Sequence, residues 1–379
     1  MWTMDFNKED LRKIIAEIEP ADATAYAKAR ERLDSLVKPP GSLGALEDIA
    51  ARLAAATGVV YPSVDRRAVI VMASDNGVVR EGVASAPQEV TAAQTLNFTR
   101  GVTGAAVLAK RYGADLLVYD VGVDADFNSP GIIDRKIRRS TGNIAKTPAM
   151  DEGELYRAVG VGVHAAYAAK DAGYDVLGAG EMGIGNTTTA SAVLCALLGY
   201  ETDEFIESAV GVGAGLTEDG YIRKVAAIKK ALRLHKPYGM GPLDAVRTVG
   251  GFDIAAMTGL YIGSAHKRIP VVIDGFISAV AALCAARLIP ACKDFMFASH
   301  HSDERGFGLA AEALGINAPL RFGMRLGEGS GCPLMFTVMD GACAVIRDMA
   351  TFDEANVTGE YLDNIRGADA FAKPRGGRL

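Results

Sequence analysis

From Arg67 onward the chain alternates short, unbroken apolar runs with longer Ala- and Leu-rich stretches, and this alternation restricts the fold more than any other feature. The runs are Ala68–Met72, Leu116–Tyr119, Val176–Leu177, Val271–Ile273 and Phe295–Phe297. A strand with one wet face alternates apolar and polar residues, whereas a run that is apolar throughout must be covered on both sides. Buried strands separated by helices predict an α/β fold: a Rossmann-like parallel sheet with helices on both faces, spanning residues 61–335. Each run ends in small or polar residues: Ser74-Asp75-Asn76-Gly77, Asp120–Asp124, Gly180-Glu181, Asp274-Gly275 and Ser299–Ser302. Ligands of open parallel sheets bind beyond the carboxyl ends of the strands, so five such ends predict one shared crevice.

Both chain ends read differently. Leu11, Ile14, Ile15 and Ile18 repeat at helical spacing, and Asn7 with Asp10 forms a capping pattern. A second helix is predicted around Asp22–Leu36. The segment Lys38–Gly44 breaks it with two prolines and two glycines, and helix resumes through Leu46, Ile49 and Leu53. After Cys332 the pattern is helical to Met349, followed by a Gly/Arg-rich tail, Lys373–Leu379, expected to fray. Residues 1–60 and 336–379 are therefore predicted to form a small helical domain.

A hydrophobic content of 49% with 23% charged residues fits a soluble globular chain with a full core. The net charge of −6, without a Lys/Arg stripe, argues against nucleic acid and anionic membrane as partners. No apolar run is long enough to cross a bilayer, and Met1–Asn7 lacks the profile of a signal peptide. The five cysteines lack CxxC spacing and mostly lie in apolar helical stretches. They read as small buried hydrophobes in a reducing cytoplasm. The five histidines show no ligand spacing, so neither a metal nor another cofactor is expected.

Two loops carry chemistry. Arg325–Gly331 sets one carboxylate, Glu328, between glycines, and Gly180–Thr188 repeats that grammar with hydroxyls added. Either loop alone reads equally well as a tight turn; together they point to a site that handles a proton and an anion. Gly180–Thr188 follows a strand and opens a helix, where backbone N–H groups and threonine hydroxyls make a phosphate cradle. It has neither the GK[ST] of a Walker loop nor GxGxxG, which counts against NTPase and dinucleotide readings. A dehydrogenase would also need an acid placed to bind ribose. Gly211–Gly215 precedes Lys224, a candidate point charge for a phosphate, although lysines are more often solvated. No strand ends in the Asp-Asp plus Thr-Gly turn of phosphoribosyl diphosphate enzymes. A ribose phosphate donor should therefore be a nucleotide without a pyrophosphate leaving group.

In chain order, Lys38–Gly44, Ser74–Thr91, Gly180–Thr188, Gly250-Gly251-Phe252-Asp253, Asp274-Gly275-Phe276 and Arg325–Gly331 resemble the nicotinate-nucleotide–dimethylbenzimidazole phosphoribosyltransferase family of cobamide assembly. The resemblance covers nearly the whole chain. It implies transfer of 5-phosphoribose from nicotinate mononucleotide to an aromatic base, with release of nicotinate and conversion of a β to an α linkage. It implies Glu328 as general base on the acceptor, walled by Leu326 and Met324. It places Glu181, Gly183, Gly185, Asn186, Gly213 and Lys224 around the phosphoribosyl group, and Ala86, Gln94, Met182 and Leu326 in the acceptor pocket. It implies a dimer, either of two identical chains or of this chain with a similar one. This sequence departs from the family pattern at Asn76, where histidine is frequent, at Ala86, where a relative has serine, and at Thr189, where proline is common. Those departures direct attention to phenols and other bases as acceptors, and to a partner subunit without activity as the contrasting reading.

Overall fold

The computed structural model describes residues 5–213 and 215–359, so the predicted frayed tail lies outside the described residues. The chain divides into a larger unit, Met1–Ala21 with Val64–Val338, and a smaller one, Asp22–Ser63 with Met339–Leu379. The larger unit holds six strands: β1 (Arg67–Ser74), β2 (Ala114–Gly122), β3 (Ile132–Asp134), β4 (Val176–Met182), β5 (Val271–Ile273) and β6 (Met296–Ala298). They form one sheet in the order β3-β2-β1-β4-β5-β6. All five pairings are parallel, with Arg67 opposite both Ala114 and Val176.

β1 is buried along nearly its whole length, as is β4, so the sheet is covered on both faces. The chain builds outward from β1 through β2 to β3, then returns to place β4 on the other side of β1. That reversal sets the topological switch point between β1 and β4, on the side of the sheet where β4 and β5 end.

Two features of the sheet lie outside the sequence reading. β3 was not expected, and β4 continues past Leu177 through Gly178-Ala179-Gly180 to Met182. Glycine weakens a strand, and its presence inside one marks a close approach by another segment. Here a Cβ on Gly178 would meet Cys332, and one on Gly180 would lie 2.6 Å from the carbonyl oxygen of Glu328.

The first helix, Lys8–Glu17, starts with the expected capping box of Asn7 and Asp10. It belongs to the larger unit, not to the small helical domain predicted for residues 1–60. The physical reason is burial: Phe6 and Leu11 lose their exposure against the helices Glu152–Asp171 and Phe252–His266, and the Phe6 ring stands edge-on to His164 at 5.8 Å.

In the smaller unit the helices Ala23–Ser35 and Ala45–Thr57 lie against each other. The Arg32 guanidinium donates to the carbonyls of Ile346 (3.2 Å) and Met349 (2.8 Å), and Leu36 bridges Thr351. The proline-broken turn is fixed by a buried ion pair, Lys38 to Glu47 at 2.9 Å. All five cysteines are buried. Among the described residues no helix is long and apolar enough to cross a membrane.

Candidate active site

A cavity of about 360 Å³ opens at the carboxyl ends of β4 and β5 within the larger unit. One wall is the turn Gly327–Gly331, of which Gly327 and Glu328 line the space. Gly327, Glu328 and Gly329 have φ of 84°, 65° and 82°, three left-handed residues in succession. Glycine adopts that conformation freely; for a glutamate it costs on the order of 1–2 kcal/mol. The turn aims its amides at two buried acids. The Glu328 N–H donates to Glu181 Oε1 (3.2 Å), Gly329 N–H to Asp274 Oδ2 (3.1 Å), and Gly331 N–H to Asp274 Oδ1 (2.7 Å).

The Glu328 side chain is 5% exposed and lines the cavity. Its Oε1 accepts from Gln94 Nε2 at 2.9 Å, and its Oε2 from the backbone N–H of Ala105 at 3.2 Å. Ala105 is the second residue of the helix Gly104–Arg111, so the positive helix end faces the carboxylate. Of the expected wall, Leu326 lines the cavity beside Glu328 although it is 55% exposed, while Met324, half-buried, does not line it. An ionised carboxylate leaves water at lower cost when N–H donors replace its hydration than when hydrocarbon does. Each oxygen keeps a further lone pair for a proton.

Glu181 and Asp274 lie beneath the turn and Asp253 behind Asn186, all three buried. Burial pushes the Glu181 carboxyl up to about 8, with Asp253's charge adding to it. Burial likewise raises Asp274 to about 7 and Asp253 to about 6. The Asn186 amide joins two of them, donating to Glu181 and, at 3.1 Å, to Asp253 Oδ2. Glu181 was assigned to the phosphoribosyl group. It does line the cavity, but its two oxygens are occupied by the Glu328 amide and by Asn186.

One side of the cavity suits an anion. The helix Asn186–Leu198 opens at Gly185 with no side-chain cap, and Gly183, Gly185, Asn186, Thr187 and Gly213 border the space. The Ile184 N–H donates to Thr91 Oγ1 (3.0 Å), which fixes this loop to the helix Glu89–Thr99. Lys224 is not solvated, contrary to what its residue type suggested; it is 0% exposed. Its Nζ donates to Thr187 Oγ1 (3.0 Å) and the Gly211 carbonyl (2.9 Å), so it stands behind the cavity wall and reaches the cavity through Thr187. Burial holds its ammonium down to about 8.

The other side is more apolar. Ala86, Gln94, Met182 and Leu326 all line it, as do Val83 and Val90. Asn76 does not line the cavity. It is buried behind, accepting from Thr189 Oγ1 at 3.3 Å, so two of the three departures from the family pattern touch each other.

Three participants were missed in the sequence: Asp274 as anchor of the turn, the Ala105 N–H, and Glu304, a buried carboxylate on the cavity wall. Asp274 carried a signal, a single acid at a strand end. The Ala105 amide carried none, because any residue type supplies a backbone N–H.

The DBI_PRT family model, described as phosphoribosyltransferase, matches residues 18–357. A nicotinate-nucleotide–dimethylbenzimidazole phosphoribosyltransferase of Clostridium perfringens is 49% identical over 361 residues, covering 95% of this chain and 99% of the relative. One from Acetivibrio thermocellus is 49% identical over 345 residues, 90% of this chain and 96% of the relative. Among solved structures, CobT from Thermus thermophilus superposes with a TM-score of 0.84 at 42% identity, covering 89% of this chain and 99% of that one.

Proposed function

The chain belongs to the nicotinate-nucleotide–dimethylbenzimidazole phosphoribosyltransferase family and transfers phosphoribose from nicotinate mononucleotide to a cobamide lower-ligand base; from that premise we propose that Glu328 is its general base. The acceptor nitrogen gives its lone pair to C1′ of the ribosyl group as the C1′–nitrogen bond to nicotinate breaks. The bonding pair returns to the pyridine nitrogen, and nicotinate departs. Glu328 takes the proton that the acceptor ring loses, which keeps positive charge from building on the new ribotide. Attack opposite the leaving group converts the β linkage to α.

The observation that carries this reading is the position of the Glu328 carboxylate. It is desolvated and hydrogen-bonded at the cavity, with Gln94 and Met182 to one side and the Thr187–Lys224 cradle to the other. The donor phosphate is assigned to Gly183, Gly185, Asn186, Thr187 and Gly213, with Lys224 supplying charge through Thr187. The aromatic acceptor is assigned to Ala86, Gln94, Met182 and Leu326. The catalytic form is a dimer, of identical chains or of this chain with a similar one, working in the cytoplasm.

Glu328→Gln preserves size but not basicity. Nicotinate release should fall by about 10²- to 10⁴-fold while nicotinate mononucleotide still binds. Near-normal turnover in this variant rejects the assignment. The acceptor is identified by the same assay run with benzimidazoles, purines and phenols, since Ala86 offers no hydroxyl where a relative has one. A chain that binds nicotinate mononucleotide and releases no nicotinate with any of them is a binding subunit.

A further inference from the structure

We propose that Asp274 is the positioning residue for Glu328: its carboxylate grips the turn on the far side of the base and fixes where the base points. The inference rests on the reading of Glu328 as base. Asp274 follows β5 directly, is buried, and spends one oxygen on each of two turn amides, Gly329 at 3.1 Å and Gly331 at 2.7 Å. Its own N–H donates to Ser278 Oγ (3.2 Å), and that hydroxyl donates to the carbonyl of Ala179 in β4 (3.1 Å). An unbroken series of hydrogen bonds therefore runs from the middle of the sheet to the residue beside the base.

The turn needs such a hold. Glu328 sits at φ 65°, where a glutamate is strained, between two glycines that resist no rotation. Released, the residue relaxes toward negative φ and swings its carboxylate away from Gln94 Nε2 and the Ala105 amide. The chemical type of residue 274 also matters. Two N–H donors need two acceptor oxygens, and only a carboxylate offers both; an asparagine would set its own NH2 against one of the amides. Burial raises Asp274 to about 7, so this acid sits where its charged form is disfavoured, which a residue chosen for stability alone would avoid.

The test is a double-mutant cycle with D274N and E328Q. It reads kcat for nicotinate release at saturating substrates and nicotinate mononucleotide affinity by calorimetry. D274N should lower kcat by about 10²-fold, the cost of misplacing a catalytic group by roughly 1 Å, and leave donor affinity unchanged. On the E328Q background it should cost nothing further, because there is no base left to position. Multiplying losses in the double variant, or donor affinity falling with kcat, would overturn the proposal, since Asp274 would then act on substrate or on the fold. Should D274N lack a cooperative melt, D274E runs the same cycle. It keeps both acceptors one methylene out of place, and should lose kcat alone and add nothing to E328Q; multiplying losses again overturn the proposal. E328Q with normal turnover is a separate result that removes the base itself.

Discussion

Gly180→Ala is the smallest change that asks whether the placement of Glu328 sets the rate. A Cβ at this position would lie 2.6 Å from the Glu328 carbonyl oxygen, 3.0 Å from its carbonyl carbon and 3.1 Å from the Gly329 Cα. All three are backbone atoms, so no change of rotamer relieves the contact. Ordinary contact begins near 3.4 Å, and the turn must therefore retreat from β4 by about 0.8 Å, the difference from 2.6 Å. A displacement of about 1 Å costs a catalytic group on the order of 10²-fold, so kcat should fall by about 10- to 10²-fold. Overpacking of this kind costs roughly 1–3 kcal/mol, which a domain stable by about 5–15 kcal/mol survives. The assay is nicotinate release at saturating substrates, with calorimetric melting to establish the fold and nicotinate mononucleotide titration to establish donor binding. Gly308→Ala is the control, because no atom lies within 4 Å of its Cβ position. A folded G180A with wild-type kcat would refute the reasoning, since the base would then tolerate the shift.

Two further outcomes are expected. Lys224→Met leaves Thr187 without its charged partner, an indirect loss of about 0.5–1.5 kcal/mol, so nicotinate mononucleotide should bind about 2- to 10-fold more weakly by calorimetry; unchanged affinity removes Lys224 from the donor site. The free protein should melt at a lower temperature at pH 8 than at pH 5. Glu181 titrates at about 8 when folded against an ordinary 4.5, so it binds its proton more tightly in the folded state. The resulting stabilisation is complete below pH 4.5 and is lost as the pH rises through 8. Glu181→Gln should flatten the profile without abolishing it, because Asp274 and Asp253 act in the same direction; an unchanged slope in scanning calorimetry counts against this account.

The sheet was legible where burial on both faces wrote itself as β-branched runs, as in Val69-Ile70-Val71 and Val271-Val272-Ile273. It was illegible in β4 beyond Leu177, because Gly178 and Gly180 lack side chains where Cys332 and the turn press close. Edge strand β3 buries only Ile132 of its three residues, so it lacks the doubly covered apolar run that made β5, equally short, readable. The site followed a similar division. Glu328 stood out because glycines flank it. Lys224 was singled out too, but its burial was not legible: lysines are more often solvated, and only tertiary structure buries this one. The N-terminal helix was recognised but allotted to the wrong unit. Its apolar positions show that it is buried, while the sequence does not say against what.

Gly180 and Gly329 meet backbone to backbone, with nothing between the sheet and the turn. With Glu328 as the proposed base, the proton acceptor inherits the stiffness of the central strand, while Val83–Ala86 and Val90 border the cavity from a separate part of the chain. On that assignment, substitutions among those residues should change which aromatic ring enters while the proton acceptor stays where the sheet holds it. A scaffold divided in this way would let acceptor preference change without rebuilding the chemistry.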